Sequence, residues 1–344
     1  MLVVRLDSMG DVLLTGPAVR AVAATADSVT ALVGRGRGDV ARLLPGVDAV
    51  IEYEAPWVVF DPGPLSRAGV RRLVRRLRRG RFDGAVIFTS FHQSPLPVAL
   101  LLRLAGVRWI AAISEDYPGS LLDLRHAAPA GEPEAVRNLG LVEAAGFAAD
   151  QFGDRLAVRR PLPEVSAVTG TDPYLVFHPG AAVPARRPAA ADSRRLVGEL
   201  VAAGYRVLVT GSPAERTLTR FVAADQAADL AGRLNLPALA AVLDRAEVVV
   251  APNTGPAHLA AAVGTPVVSL FAPVVAAQAW APHGVPVVLL GDQAAPCRGS
   301  RARDCPVPGH PCLAIEGADL VAAVARLDPR PRRAPDTAVR REAS

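Results

Sequence analysis

The sequence predicts an α/β protein made of two doubly wound domains, each with an open parallel sheet. Apolar runs of strand length alternate with helical patterns from the first residue, and the alternation restarts after residue 173. Such alternation is typical of right-handed βαβ units. Only 5% of the 344 residues are aromatic, which disfavours an all-β sandwich, and the length exceeds what one hydrophobic core usually fills.

The first domain is predicted over residues 1–160. Short apolar runs indicate its strands, and longer stretches with a period of 3.6 residues indicate its helices. The predicted elements are strands at 2–6, 29–33, 83–88 and 107–113 and helices at 11–24 and 96–105.

A hinge linker is predicted at residues 161–173, where the chain is polar and carries three prolines and a glycine. The second domain is predicted over 174–327. Its predicted strands are 174–178, 205–210, 247–251, 266–271 and 285–290, and its predicted helices are 192–203, 214–224, 237–245, 256–263 and 317–327. Residues 328–344 are mostly Arg, Pro and small residues with little apolar surface to bury, which predicts a disordered tail.

Composition and charge indicate a cytoplasmic protein without a nucleic-acid partner. The net charge is +5, and all 38 basic residues are Arg, which fits a genome composition bias better than a binding surface. Charged residues near the N-terminus disfavour a signal peptide. The uncharged stretch 259–282 is interrupted by Gly and Pro, so it predicts a helix, turn and strand rather than a membrane span.

An arginine cluster between Arg71 and Arg81 has two interpretations. Seven arginines there are interrupted by Leu73, Val74 and Leu77 at helical spacing. An amphipathic helix with a solvated basic face is the simpler interpretation. Peripheral docking on the anionic inner face of the cell membrane is the functional alternative.

Three cysteines, Cys297, Cys305 and Cys312, lie in one segment rich in Pro and Gly. Their spacing matches no standard zinc pair, and a fourth ligand would have to be His310. Free thiols in a reducing compartment are the simpler interpretation, and no metal site is predicted.

The strongest candidate site follows the predicted strand 247–251. Asn253, Thr254 and Gly255 form a tight loop, and a helix is expected to begin at about Pro256. The free N–H groups of a helix N-terminus bind phosphate oxygens, Gly255 permits close approach, and His258 adds a donor in the first turn. An ordinary capped helix, with Thr254 bonded to its own backbone, is the alternative.

A second candidate loop runs from His178 to Arg187 and joins a glycine turn to a pair of arginines. Arg186 or Arg187 offers the planar guanidinium that suits a diphosphate. Two exposed arginines at a helix entry are the alternative.

A third candidate follows the first strand. Gly10 opens the turn, and Asp11 is expected at the cap of the first helix. A carboxylate in a cleft between the domains would instead remove a proton from an acceptor hydroxyl. Asp7 is the reserve base, and Asp7, Ser8, Gly10 and His92 are the acceptor-side candidates.

Taken in order, these blocks resemble glycosyltransferase family 9, the bacterial ADP-heptose:lipopolysaccharide heptosyltransferase-like enzymes. The resemblance covers residues 1–327. It is carried by the opening Arg5-Leu-Asp-Ser-Met-Gly-Asp-Val-Leu13, the His178-Pro-Gly-Ala181 turn, Asp229-Leu-Ala-Gly232, Asn253-Thr-Gly-Pro-Ala-His-Leu-Ala-Ala-Ala262 and Cys305-Pro-Val-Pro-Gly-His-Pro-Cys312.

The resemblance implies a GT-B fold, in which two Rossmann-like domains face a cleft. It also implies inversion at the anomeric carbon without a metal, an ADP-heptose-like donor bound by the second domain, and a hydroxyl acceptor on a cell-envelope glycan or glycolipid bound by the first. No cofactor is implied beyond the nucleotide diphospho-sugar co-substrate.

Residue roles implied by the resemblance concern one base and one donor site. Asp11 would be the general base. The donor site would comprise Ala181 and Ala182 in the phosphate turn, Arg186 at the diphosphate, Glu215 at the ribose hydroxyls, Leu234 against the base, and Asn253, Thr254, Gly255 and His258 at the diphosphate and sugar.

The sequence departs from the family pattern at three positions. Asn253 replaces a more frequent Asp, Pro188 stands where Trp is common, and Ser300 stands where related sequences often carry Cys. A nucleotide-sugar epimerase-like enzyme and a non-catalytic nucleotide-binding module are the alternatives to a transferase.

Overall fold

The computed structural model describes residues 1–90, 93–129 and 131–328. The chain divides into two compact units, Met1–Pro161 and Leu162–Ser344. The predicted tail, apart from Asp328, lies outside the described residues, as does His92.

The first unit is built around a six-stranded parallel sheet in the order β3-β2-β1-β4-β5-β6. Its elements in chain order are β1 (Leu2–Arg5), α1 (Met9–Leu14), α2 (Gly16–Ala23), β2 (Thr30–Val33), α3 (Gly38–Leu43), β3 (Ala49–Glu52), α4 (Arg67–Gly80), β4 (Gly84–Ile87), α5 (Leu96–Leu104), β5 (Trp109–Ile113), β6 (Leu124–His126) and α6 (Glu134–Ala144). The central strands β1 and β4 are buried along their whole length, because helices cover both faces of a parallel sheet.

The predicted single helix at 11–24 is wrong, because the structure has two helices. α1 ends at Leu14 with Thr15 as its C-cap, and α2 begins at Gly16 with Pro17 in its first turn. Pro17 has no N–H to continue the hydrogen-bond ladder of α1, but its fixed φ suits the start of a new helix. The break leaves α1 as a short helix that carries Asp11 immediately after β1.

The second unit repeats the plan with the order β12-β11-β10-β7-β8-β9, again parallel. Its elements in chain order are α7 (Ser166–Thr169), β7 (Leu175–Phe177), α8 (Ala190–Ala202), β8 (Val207–Val209), α9 (Arg216–Ala223), β9 (Ala228–Asp229), α10 (Leu236–Asp244), β10 (Val249–Pro252), α11 (Gly255–Val263), β11 (Val267–Leu270), α12 (Ala277–Trp280), β12 (Val287–Leu290) and α13 (Gly317–Leu327). Leu320, Ala323 and Val324 of α13 are buried in the core of this unit.

Each sheet has one place where the strand order reverses. In the first unit this switch point lies between β1 and β4, and in the second it lies between β7 and β10. Loops that leave the carboxyl ends of strands on either side of a switch point diverge, so they leave a crevice that binds ligands in open α/β sheets. These two positions are where the chemistry is to be sought.

Within the described ranges, no helix combines the length and the apolar character that crossing a bilayer requires. The uncharged stretch 259–282 contains most of α11, a turn and β11, as the interrupting Gly and Pro predict.

Candidate functional site

The predicted donor residues lie on loops that follow four neighbouring strands of the second unit. The loop after β10 carries Asn253 and Thr254, the loop after β7 carries the stretch 178–187, the loop after β8 carries Glu215, and the loop after β9 carries Leu234. Because β10, β7, β8 and β9 are adjacent in the sheet, these loops share one edge of it. The switch point between β7 and β10 lies among them.

The loop after β10 presents polar groups that the protein itself leaves unused. Asn253 is only 3% exposed, and its Nδ2 has no hydrogen-bond partner. Thr254 is the N-cap of α11 but makes no side-chain cap hydrogen bond, so the ordinary capped-helix alternative is wrong. A buried amide without an acceptor is costly unless a ligand supplies one, so the loop has the character of a binding site.

α11 begins at Gly255, with Pro256 in its first turn and His258 buried behind it. The helix directs the N–H groups of its first turn and its positive dipole end toward this loop. An anion bound beside Thr254 would receive both.

The loop after β7 places a short turn and a cation at the same edge. Ala181 is buried and Ala182 exposed, so the backbone of this turn is open on one side. Arg186 closes a 3-10 turn, Pro184–Arg186, and its side chain is partly buried, whereas Arg187 is exposed. A partly buried guanidinium at Arg186 attracts a diphosphate more strongly than a fully exposed one would, because water screens it less.

Glu215 lies close to the glycine turn of the neighbouring loop. Its Oε2 accepts hydrogen bonds of 2.8 Å from the backbone N and the Oγ of Ser212, which fixes the side chain. A Cβ built on Gly180 would stand 1.9 Å from Oε1 of Glu215. Only glycine at 180 therefore lets the second carboxylate oxygen occupy this position, where two ribose hydroxyls could donate to it.

A buried histidine with no role predicted from the sequence lies between these loops. His178 is 5% exposed, and its Nδ1 lies 3.1 Å from Oγ1 of Thr210 at the end of β8. Burial lowers the pKa of His178 below its ordinary value, although the nearby Glu215 opposes this. A neutral imidazole at this position joins the β7 and β8 loops without adding charge.

Leu234 lies in the loop after β9 and is partly buried. Gly232 in this loop has a φ of +67°, and a Cβ there would lie 2.7 Å from Nε of Arg216. The loop therefore packs closely on Arg216 and turns sharply before α10, which Asn235 caps.

In the first unit, the expected N-cap role of Asp11 is wrong. Ser8 is the N-cap of α1, and Asp11 is the third helical residue, joined to Ser8 in a capping box. Oδ2 of Asp11 accepts from Oγ of Ser8 at 2.6 Å and from its backbone N at 3.2 Å. The reciprocal bonds orient the carboxylate, while Oδ1 lies 3.2 Å from Nη2 of Arg5.

Arg5 is the centre of a buried charge cluster. Its side chain is 2% exposed, and its Nε donates to Oδ1 of Asp7 at 2.6 Å. Both Nη1 and Nη2 lie 3.4 Å from Oε2 of Glu134 at the start of α6. Burial disfavours the Arg5 cation, but Asp7, Asp11 and Glu134 outweigh burial and raise its pKa above the ordinary value. Arg5 therefore remains charged.

Asp7 differs from an ordinary carboxylate. Burial and the nearby Asp11 raise its pKa to about 6, against the lowering effects of Arg5 and Ser90. Oγ of Ser90 donates to Oδ2 of Asp7 at 2.9 Å. The β1–β4 switch point carries four of the acceptor-side and base candidates, because the segment directly after β1 contains Asp7, Ser8, Gly10 and Asp11. His92 lies outside the described residues.

The arginines of the cluster lie on α4, except Arg81, which is the C-cap of this helix in the left-handed conformation. Leu73 and Leu77 are buried, and the arginines from 71 to 79 are exposed. Beside them on α5, Leu100 and Leu104 are 48% and 54% exposed, and Nη2 of Arg78 donates to the carbonyl oxygen of Leu104 at 2.8 Å. A basic helix therefore adjoins an exposed leucine pair.

The cysteine segment supports the Arg186 turn. Cys297 and Cys312 are buried, and all three cysteines are free. Nε2 of His310 donates to the carbonyl oxygen of Ala185 at 3.0 Å, next to Arg186. Among the described residues, no group of three His, Cys, Asp or Glu side chains is arranged to hold a metal ion.

The chain matches the family described as glycosyltransferase family 9 (heptosyltransferase) over residues 70–308. It is 30% identical to lipopolysaccharide heptosyltransferase 1 of Pseudomonas aeruginosa over 294 residues, which cover 79% of this chain and 78% of that protein.

Solved structures share the fold. A family 9 glycosyltransferase from Veillonella parvula superposes with a TM-score of 0.77 at 17% identity, over 95% of this chain and 96% of that one. Escherichia coli heptosyltransferase WaaC, solved with ADP-2-deoxy-2-fluoro heptose, gives 0.65 at 20% identity, over 85% and 93%. TibC, an iron-containing dodecameric glycosyltransferase from enterotoxigenic E. coli, gives 0.51 at 14% identity, over 95% and 75%.

The predicted family and the predicted α/β fold of GT-B type are confirmed by these matches together with the two parallel sheets. The chain belongs to glycosyltransferase family 9.

Proposed function

We propose that the protein transfers a heptose-like sugar from an ADP-heptose-like donor to a hydroxyl group of a cell-envelope glycan or glycolipid, as in lipopolysaccharide core synthesis. The observation that carries this proposal is the loop Asn253-Thr254-Gly255 at the switch point of the second sheet. It combines a buried amide without an acceptor, an N-cap hydroxyl not used for capping and a helix N-terminus.

The second unit binds the donor in this proposal. The start of α11 and Thr254 bind the diphosphate together with Arg186, and the turn at Ala181 and Ala182 brings backbone close to it. Glu215 accepts the ribose hydroxyls, Leu234 packs against the adenine, and Asn253 and His258 contact the sugar. The WaaC structure with a fluorinated ADP-heptose supports this class of donor.

The first unit binds the acceptor and supplies the base. Asp11 removes the proton of the acceptor hydroxyl, and the oxygen attacks the anomeric carbon as the bond from that carbon to the diphosphate oxygen breaks. Attack opposite the leaving group inverts the anomeric configuration. Closure of the protein around the substrates would exclude water, which otherwise hydrolyses the donor.

Leaving-group stabilisation falls to Arg186 and the N-terminus of α11, so no metal is required. TibC is described as iron-containing, which makes this part of the proposal worth testing separately. Transfer measured after exhaustive dialysis against a chelator, with metal analysis of the protein, is expected to be unchanged. A rate restored only by added metal would contradict metal independence.

The transfer itself is tested with ADP-heptose and lipopolysaccharide from a heptose-deficient strain. We expect release of ADP, a mass gain of one heptose on the acceptor, and an anomeric configuration opposite to that of the donor by NMR. Incubation with the donor alone separates the alternatives: isomerised donor would indicate an epimerase, and binding without turnover on any acceptor would indicate a non-catalytic module.

Peripheral contact with the inner membrane face is also part of the proposal. The exposed arginines of α4, none of them accompanied by an acidic residue on that helix, lie beside Leu100 and Leu104. Clustered cations with adjoining leucines favour an anionic lipid surface, whereas sequence-independent nucleic-acid binding uses aromatic stacking.

A further inference from the structure

The Arg5 cluster joins residues that are far apart in the chain. Asp7 and Asp11 follow β1, Ser90 follows β4, and Glu134 begins α6. Every nitrogen of the Arg5 guanidinium is engaged: Nε by Asp7, Nη1 by Glu134, and Nη2 by Ser90, Asp11 and Glu134. The orientation of this cation therefore depends on partners from three separate segments of the chain.

Glu134 is a member of the cluster to which the proposed reaction gives no role. It is 1% exposed, and its two oxygens are divided between two arginines. Oε2 faces Arg5, and Oε1 lies 3.2 Å from Nη1 of Arg137, which also donates to the carbonyl oxygen of Thr89 at 2.8 Å. Arg137 thus anchors Glu134 to the end of β4.

The charges of the cluster are unequal. Three carboxylates, Asp7, Asp11 and Glu134, face two guanidinium groups, Arg5 and Arg137. A carboxylate that shares a cation with others binds a proton more readily than one that has the cation alone. The negative charge of Glu134 therefore raises the proton affinity of Asp7 and Asp11, because all three carboxylates share the Arg5 cation.

We propose that Glu134 is a positioning residue for Asp11. Glu134 holds the Arg5 guanidinium that faces the Asp11 carboxylate, and its negative charge weakens the positive potential that Arg5 produces at that carboxylate. Arg137 holds Glu134 in this arrangement. The inference rests on the proposed role of Asp11 as general base, and it predicts that changes at Glu134 and Arg137 act on proton binding at Asp7 and Asp11 with opposite signs.

The test compares Glu134→Gln and Arg137→Gln with Glu143→Gln, a matched control at an exposed position of the same helix. Glu134→Gln removes a negative charge, so the acidic limb of kcat/KM against pH should move down by about 0.5 unit or more. Arg137→Gln removes a positive charge and should move it up. Glu134→Asp should restore the parent profile in part, and the control should match the parent.

A second measurement does not depend on turnover. Protein labelled with ¹³C at the aspartate carboxyl carbon is titrated by NMR without substrate, with Asp7→Asn and Asp11→Asn used for assignment. The Asp7 and Asp11 titration midpoints should shift in the same directions as the rate profiles. A purely structural cluster would lower the unfolding temperature in both variants and leave midpoints and profiles superimposable, which would overturn the inference.

The two proposals fail separately. Full turnover in Asp11→Asn would refute the base assignment whatever the titrations show. If Asp11→Asn is inactive but the rate profiles of folded Glu134→Gln and Arg137→Gln are not shifted, only the positioning role of Glu134 is refuted. If Glu134→Gln does not fold, Arg137→Gln and Glu134→Asp still test the positioning role. The proposal requires Arg137→Gln to move the acidic limb of kcat/KM to higher pH.

Discussion

The carboxylate of Glu215 occupies the space that a side chain at Gly180 would fill. The two residues belong to loops after β8 and β7, and a Cβ at 180 would stand 1.9 Å from Oε1 of Glu215. The glycine is therefore needed for an approach between loops rather than for an unusual φ.

Gly180→Ala is expected to displace Glu215 and weaken donor binding. The new methyl group cannot coexist with the present carboxylate position, so ribose hydroxyl contacts should be lost at a cost of about 1–2 kcal/mol, or roughly 5- to 30-fold in Kd. Calorimetric titration with ADP measures the change. Gly63→Ala, where a Cβ meets nothing within 4 Å, is the control, and unchanged ADP affinity in Gly180→Ala would argue against the role of Glu215.

Asp11→Ala is expected to reduce turnover by about 100-fold or more, because a general base contributes that much. ADP affinity should remain near that of the parent, since the proposed donor residues belong to the second unit. Initial rates of ADP release and calorimetry give the two quantities. Asp27→Ala removes an exposed carboxylate of the same unit and should be neutral. Near-normal turnover in Asp11→Ala would exclude it as the base.

His178 is expected to make the fold sensitive to mild acid. Because burial lowers its pKa in the folded protein below the ordinary 6.5, the unfolded chain binds a proton at a higher pH than the folded chain does. The stability contribution is therefore present above pH 6.5 and is lost as pH falls toward the folded pKa, by up to about 1.4 kcal/mol per pH unit.

His178→Gln should flatten this dependence in thermal unfolding between pH 7 and 5. Equal slopes in parent and His178→Gln would show that the imidazole is not held neutral by burial.

Replacing Arg72, Arg75 and Arg79 by Gln should weaken co-sedimentation with vesicles that contain anionic phospholipid. The three residues lie along one exposed face of α4. At about 1 kcal/mol each, their loss should reduce partitioning by roughly 100-fold. A matched triple variant at Arg194, Arg220 and Arg298 of the second unit should bind like the parent. Binding that is absent in the parent, or independent of lipid charge, would leave α4 as a solvated helix.

Much of the fold follows from local pattern. Continuous apolar runs such as those of β1, β4 and β10 predicted buried parallel strands, because only a sheet covered on both faces buries every side chain of a run. The positions of Asn253, Thr254 and Glu215 after strands also followed from the sequence, since helix starts and turns have local signatures. The break between α1 and α2 was missed because the apolar period continues through Thr15.

The contacts around the candidate base depended on the tertiary structure alone. Arg5 and Glu134 are 129 positions apart, and no spacing rule relates them. The sequence pattern also predicts the wrong N-cap for α1. Ser8 and Asp11 are both suitable N-cap residues, and only the structure shows that Ser8 occupies the position. Sequence determined which segments are strands, helices and the loops that follow strands, since these depend on residues a few positions apart. The structure decided which charges share one cation, because electrostatic coupling depends on distance in space and on burial, and both arise only when β1, β4 and α6 pack together.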